Sequence, residues 1–213
     1  MARPRTPKGR AAETRARLTV EYPEAICALV HDSPFQLLAA TILSAQTTDE
    51  RVNQVTPALF AAYPTPEALA AADPGRVEEL VHPTGFFRSK TKSLLGMAAT
   101  LIERHGGEVP GAMEDLVEIP GVGRKTANVV RSVALGLPGL PVDTHVGRLA
   151  RRLGLTTETD PVKVEHELNA MVPAAERGAF SLRLILHGRK VCLARTPRCE
   201  VCVLNDFCPS SRV

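Results

Sequence analysis

The segment Leu116–Val130 reads LVEIPGVGRKTANVV and decides the fold of this 213-residue chain. Two short helical patterns flank the turn Pro120–Gly123, whose two glycines allow positive φ and a close backbone approach. The free amides of the turn and of the next helix form an anion site that suits a phosphate. We therefore predict a helix–hairpin–helix at about 113–135 that grips DNA without reading its bases. Its predicted DNA-binding residues are Gly121, Gly123 and Arg124.

Lys125 follows the turn, at the edge of an apolar stripe formed by Thr126, Val129, Val130 and Val133. The positive end of the helix dipole disfavours an ammonium there, and partial desolvation also lowers a lysine pKa. A neutral amine is the nucleophile of Schiff-base chemistry. The simpler interpretation, a lysine that contacts phosphate, stays open at this point.

Asp143 stands where a helix begins, just after the Pro-bounded loop Leu137–Pro141. That loop is the best candidate for a crossing between two helical lobes, and a cleft often forms where lobes meet. Asp143 is then either a plain N-cap or a carboxylate across the cleft from Lys125. A close pair would raise the lysine pKa, so we expect several ångströms between the two groups.

Four cysteines near the C-terminus have the spacing C-x6-C-x2-C-x5-C. Compact cysteines in a chain without a secretion signal favour a metal over disulfides. Only one C-x2-C pair is present, so the spacing favours a [4Fe–4S] cluster over structural zinc. The fifth cysteine, Cys27, lies among apolar residues and is expected in the core. The predicted metal ligands are Cys192, Cys199, Cys202 and Cys208.

The amino-acid composition and the helix-start signals predict an all-α protein. Hydrophobic residues make up 44% and aromatics 4%, and Ser/Thr/Asp-Pro pairs mark repeated helix starts. No apolar run is long enough to span a bilayer, and the N-terminus lacks a signal core. Residues 1–17 hold six basic side chains against one acidic, which suggests a disordered basic arm facing a polyanion.

The chain resembles the endonuclease III family of DNA glycosylases, within the helix-hairpin-helix superfamily. Each matching motif is short, but all of them occur in the order that the family shows. The motifs are Leu43–Asp49, Gly85–Lys90, Ile119–Val130, Val142–Val146, Leu186–Arg189 and the four-cysteine tail.

This resemblance implies two helical lobes with the active site in the cleft between them. Residues 27–137 would form a six-helix barrel that contains the hairpin. Residues 1–26, the basic arm and first helix, would join residues 138–213 in a second lobe, whose loop 192–208 carries a [4Fe–4S] cluster. The expected molecule is a monomer in a bacterial cytoplasm.

The resemblance also implies an activity: removal of oxidised pyrimidines such as thymine glycol, then strand cleavage 3′ to the lesion by β-elimination. Lys125 matches the family's Schiff-base lysine and Asp143 its catalytic aspartate. Gln46 matches a residue that fills the gap left by the extruded base, and Phe86 stands where many bacterial members have a Leu wedge. His145 belongs to the aspartate motif and is assigned to DNA binding. The expected partner is double-stranded DNA with damaged bases or abasic sites.

Three other interpretations compete with this one. A mismatch-specific adenine glycosylase shares the hairpin and the cysteines, but Lys125 and the end of the chain at Val213 argue against it. A relative specialised for mismatched uracil or thymine would differ only in its pocket. A non-catalytic DNA-binding module with structural zinc would bind duplexes without nicking them.

Overall fold

The computed structural model describes residues 3–213, and every regular element in that range is a helix. The all-α prediction is therefore confirmed. None of these helices combines the length and the apolar character needed to cross a membrane. In chain order they are α1 Pro7–Glu21, α2 Pro34–Leu43, α3 Asp49–Ala62, α4 Pro66–Ala70, α5 Pro74–Val81, α6 Phe87–His105, α7 Met113–Glu118, α8 Arg124–Val133, α9 Thr144–Arg152, α10 Pro161–Met171 and α11 Arg177–Lys190.

Most helices begin at the predicted capping signal, a short polar residue that is usually followed by proline. Ser33 illustrates it: its Oγ accepts a hydrogen bond from the Gln36 amide at 3.2 Å, and Pro34 fills the first helical position. The cap satisfies an amide that the helix itself leaves without a partner. The same arrangement recurs at the predicted starts Thr65, Asp73 and Asp160, and also at Thr6, where no helix start was predicted.

The structure divides into two compact units. The central unit is Cys27–Leu137, and the terminal unit joins the chain up to Ile26 with Pro138–Val213. In the central unit α2 is apolar almost all round, and most of its side chains are buried. A helix of that kind belongs in the middle of a core, and α2 contacts α3, α6 and α8.

In the terminal unit α1 packs on α10 and α11 around Leu18, Phe180 and Leu184, all of them fully buried. The chain before and the chain after the central unit therefore share one hydrophobic core.

The expectation of a disordered basic arm is wrong where the structure describes it, because α1 starts at Pro7; Met1 and Ala2 lie outside the described residues. The arginines of α1 are bonded within the terminal unit. Arg10 donates to the Gly154 carbonyl at 2.7 Å. Arg15 and Arg17 pair with Glu176 and Asp206, each at 2.6 Å.

Candidate functional site

The hairpin turn joins α7 to α8 in the central unit, and its two glycines have different structural roles. Gly121 has φ +80°, and a Cβ there would lie 2.6 Å from the Ser93 Cβ, so only glycine fits. Gly123 has φ −89° and caps α8, and a Cβ there would meet nothing within 4 Å. Of these two glycines, which both allow positive φ, only Gly121 adopts it. Gly121 and Gly123 are exposed, so the amides at the start of α8 are open to solvent on this side, which suits a phosphate.

Lys125 is the second residue of α8 and is exposed, so the partial desolvation expected at this position is not found. The fully buried residues of α8 are Ala127, Asn128 and Val130. Of the predicted stripe, Val130 is buried, and Val129 and Val133 pack against the core while only partly buried. Burial raises the pKa of the Cys27 thiol, and the positive charge of Lys125 opposes part of that rise. The lysine therefore lies near this half-buried cysteine, which packs against the core as predicted.

Asp143 caps α9 in the terminal unit, as the simpler interpretation predicted. One carboxylate oxygen accepts from the Val146 amide at 2.8 Å, and the residue is half-buried. This bond fixes the orientation of the carboxylate and leaves its second oxygen outside the cap. His145 follows, with Nδ1 3.2 Å from Nη2 of Arg148. It packs so closely on Gly188 that a Cβ there would lie 2.9 Å from Nδ1.

Gln46 and Phe86 share an unusual backbone, since they are the two non-glycine residues with positive φ in residues 3–213. Their φ values are +54° and +47°, in the left-handed region, which costs such residues about 1 kcal/mol or more. Both line one cavity of about 300 Å³ in the central unit, together with Ser89, Ser93 and Gly121. Phe86 is 65% exposed, although it is a large apolar side chain.

Lys90 lines the same cavity and was missed by the sequence analysis. It is buried, and its Nζ donates to the Thr84 carbonyl at 2.8 Å and to Thr47 Oγ1 at 3.0 Å. Burial lowers its pKa. In the sequence, Lys90 belongs to a charged stretch that is typical of a solvated helix face, so no local signal marks it as buried.

The four cysteines of the tail line one pocket in the terminal unit and are half-buried. Burial, together with the charges of the three neighbouring cysteines, raises the pKa of Cys202 to about 11. Two N–H groups and a histidine ring nitrogen lie against the sulfurs. Arg152 Nη1 lies 3.3 Å from Cys192 Sγ, while His187 Nε2 and the Leu204 amide lie 3.3 and 3.4 Å from Cys202 Sγ.

This donor set fits an iron–sulfur cluster. The four sulfurs surround a shared pocket, and nowhere in residues 3–213 do three His, Cys, Asp or Glu side chains meet at a position for a single ion. N–H groups on the sulfurs offset the negative charge that four thiolates bring to a cluster. Arg195 and Arg198, between the first two cysteines, are exposed.

Comparison with known proteins agrees with these features. Residues 39–174 match the HhH-GPD superfamily of base excision DNA repair proteins, and residues 192–208 match the iron–sulfur binding domain of endonuclease III. Endonuclease III of Synechocystis sp. is 52% identical over 206 residues, which cover 96% of this chain and 94% of that protein.

Two solved structures are similar over almost the whole chain. A non-covalent endonuclease III–DNA complex is 39% identical with a TM-score of 0.90, and the match covers 95% of both chains. A trapped endonuclease III–DNA covalent intermediate is 40% identical with the same TM-score, covering 95% of this chain and 96% of that one.

The hairpin, the helical fold and the four-cysteine pocket thus define a helix-hairpin-helix protein of base excision DNA repair. Within that class, the chain belongs to the endonuclease III family. Both the resemblance inferred from the sequence and the predicted [4Fe–4S] cluster are confirmed.

Proposed function

We propose that this protein is a bifunctional DNA glycosylase and abasic-site lyase that removes oxidised pyrimidines from double-stranded DNA in base excision repair. The observation that carries the proposal is Lys125, an exposed amine directly after the hairpin turn at the start of α8. A relative that is 40% identical forms a covalent intermediate with DNA, and an amine so placed supplies the nucleophile for one.

The reaction begins when the amine of Lys125 attacks C1′ of the damaged nucleotide. The C1′–N bond breaks, and the base leaves with the bonding electrons and takes up a proton. The C1′–O4′ bond then breaks, so that the sugar ring opens and O4′ takes up a proton, and an imine forms between Nζ and C1′. Loss of a C2′ proton then expels the 3′ phosphate by β-elimination, which cleaves the strand 3′ to the lesion. Water finally hydrolyses the imine and frees the lysine.

Asp143 stabilises the positive charge that develops on the sugar as the base leaves. Its cap bond to Val146 holds the carboxylate in one orientation, so no reorganisation is needed during the reaction. The carboxylate oxygen outside the cap is the one that acts on the sugar.

Most other predicted residues hold the DNA. The hairpin amides at Gly121 and Gly123, with Arg124, bind phosphates, and His145 contributes a further contact beside Asp143. Gln46 fills the gap left by the extruded base, and Phe86 acts as the wedge. When bound, the [4Fe–4S] cluster cross-links Cys192–Cys208 into a fixed loop that presents Arg195 and Arg198 to phosphates. We expect a monomer that works in a bacterial cytoplasm.

Borohydride trapping tests the lysine. The cluster-loaded protein, mixed with a thymine glycol duplex and borohydride, is expected to form a covalent adduct, because reduction fixes the imine. Lys125→Ala should form none, whereas Lys92→Ala, which removes an exposed lysine of α6 in the same unit, should form as much as the parent. A Lys125→Ala protein that traps DNA normally would reject the assignment.

Asp143→Asn tests the carboxylate without removing the cap, because asparagine caps helices as well as aspartate does. We expect single-turnover base release to fall by at least ~10²-fold, in the range of a lost charged catalytic group, with DNA affinity unchanged. Asp160→Asn is the matched control, because Asp160 caps α10 in the same unit. Equal rates for the two variants would refute the role of Asp143.

Substrate range is measured by strand nicking on duplexes that each carry one defined lesion. Oxidised pyrimidines should be cleaved fastest. Faster excision of mismatched adenine, uracil or thymine would favour a mismatch-specific enzyme instead, and binding without nicking would favour a non-catalytic module.

A further inference from the structure

Two strained residues from separate parts of the chain meet at one cavity. Gln46 lies in the turn after α2 and Phe86 lies just before α6, yet both line the same cavity of about 300 Å³. Each adopts the left-handed backbone that its side chain disfavours. Such a conformation persists only where the surroundings hold it.

One buried amine connects the two segments. Lys90 Nζ donates to Thr47 Oγ1, next to Gln46, and to the carbonyl of Thr84, two residues before Phe86. The Thr47 hydroxyl also donates to the Thr84 carbonyl, which closes a triangle of hydrogen bonds. The Lys90 amide in turn donates to the Phe86 carbonyl at 3.0 Å, so this residue holds both segments.

The electrostatics make this arrangement costly. Lys90 is 5% exposed, and its two Nζ partners are an uncharged hydroxyl and an uncharged carbonyl. A buried ammonium without a carboxylate loses most of its hydration for little Coulomb gain. An apolar side chain of the same length would pack at lower cost, so packing alone does not explain a lysine here. The amine adds several N–H donors on one nitrogen, so a single side chain can hydrogen-bond to both loops at once.

We propose that Lys90 is a positioning residue that locks Gln46 and Phe86 in their left-handed conformations, so that both side chains stand ready at the rim of the cavity. This inference rests on the proposed function, in which Gln46 and Phe86 contact the DNA around the extruded base. The free-energy cost of ordering the two loops is then met when the protein folds, so it does not slow the extrusion of the base.

Lys90→Met tests the inference because it keeps the length of the side chain and removes every donor. In the cluster-loaded protein, we expect single-turnover base release from a fully paired lesion to slow by about tenfold, within the coupling range for one network. Release from the same lesion opposite a missing base should change by less than about twofold, because no pair has to be opened. Lys92→Met is the matched control, since it removes an exposed charge from the same helix.

A double-mutant cycle separates positioning from general stability. In a Gln46→Ala/Phe86→Ala background the side chains to be positioned are gone, so Lys90→Met should slow base release by less than about twofold. If the Lys90→Met protein does not fold, Thr47→Val replaces it, since it removes one corner of the triangle and keeps the shape. Its effect on the paired lesion should also disappear in the double-alanine background.

The outcomes distinguish this inference from the function on which it rests. If the double-alanine protein releases the base as fast as the parent, Gln46 and Phe86 have no role on DNA, and the inference falls with them. If the double-alanine protein is slow but Lys90→Met slows it further by the full tenfold, only the positioning role of Lys90 is refuted.

Discussion

Two loop regions of this molecule are held by polar side chains, and they differ in where the holding group comes from. The loops around Thr47 and Thr84 are joined by the chain's own Lys90. The segment Cys192–Cys208 contains a single short 3-10 helix. Arg152 donates to two of its carbonyls, but its four cysteines need an iron–sulfur cluster to be joined. The first region is complete when the chain folds, whereas the second depends on a cofactor.

The largest effect is expected from breaking the second region. Cys199→Ser should abolish the visible absorbance of the cluster and destabilise its segment by several kcal/mol, since cluster binding there is also folding energy. Trypsin should then cut at Arg195 and Arg198. Cys27→Ser is the control and should keep both the absorbance and the protease resistance. If the protein without its cluster still resists trypsin at these arginines, the segment is ordered without the cofactor, and the two regions do not differ in the way described.

A smaller effect is expected in the hairpin, which like the first region depends on the chain alone. Gly121→Ala should lower the free energy of unfolding by about 2–4 kcal/mol, because alanine is strained at positive φ and would clash with Ser93. Gly123→Ala should cost less than about 1 kcal/mol, since its φ is ordinary and its surroundings are open. Urea unfolding measures both. Equal losses would show that the two glycines have the same role.

The smallest effect is a pH dependence of the first region. Burial lowers the pKa of Lys90 from its ordinary value of 10.5, so the unfolded chain binds more protons than the folded chain between the two values. The free energy of unfolding should therefore rise with pH across that window, relative to Lys90→Met, which has nothing to titrate. Urea unfolding of both proteins at intervals from neutral pH upward tests this. If the difference in unfolding free energy between the two proteins stays constant or shrinks as the pH rises, the amine is well solvated.

Local chemistry was sufficient to predict most of the helices and the cluster. A capping residue followed by proline acts within one turn of chain, so Ser33 and Asp160 could be identified as helix starts from their neighbours alone. The cysteine spacing likewise reports ligand chemistry that needs no knowledge of the fold. The functions of Lys125, Asp143 and the DNA-contact residues stay predictions until the variants are made.

What the sequence could not reveal depends on partners far along the chain. The arginines of α1 look like a free basic arm, but Arg10 bonds to a carbonyl 144 residues away. Phe86 takes a backbone conformation that its own residue type opposes, and Lys90 is buried by loops that its neighbours do not specify. In each case tertiary contacts override local preference.

The discontinuous terminal unit has a consequence for synthesis on the ribosome. Its core combines Leu18 near the beginning of the chain with Phe180 and Leu184 near the end. The N-terminal helix α1 therefore has no partner helices to pack against until Cys27–Leu137 has left the ribosome and folded as its own unit. Assembly of the protein is thus vectorial: Cys27–Leu137 folds first, and the core of the terminal unit is completed only after the residues that follow Leu137 have been synthesised.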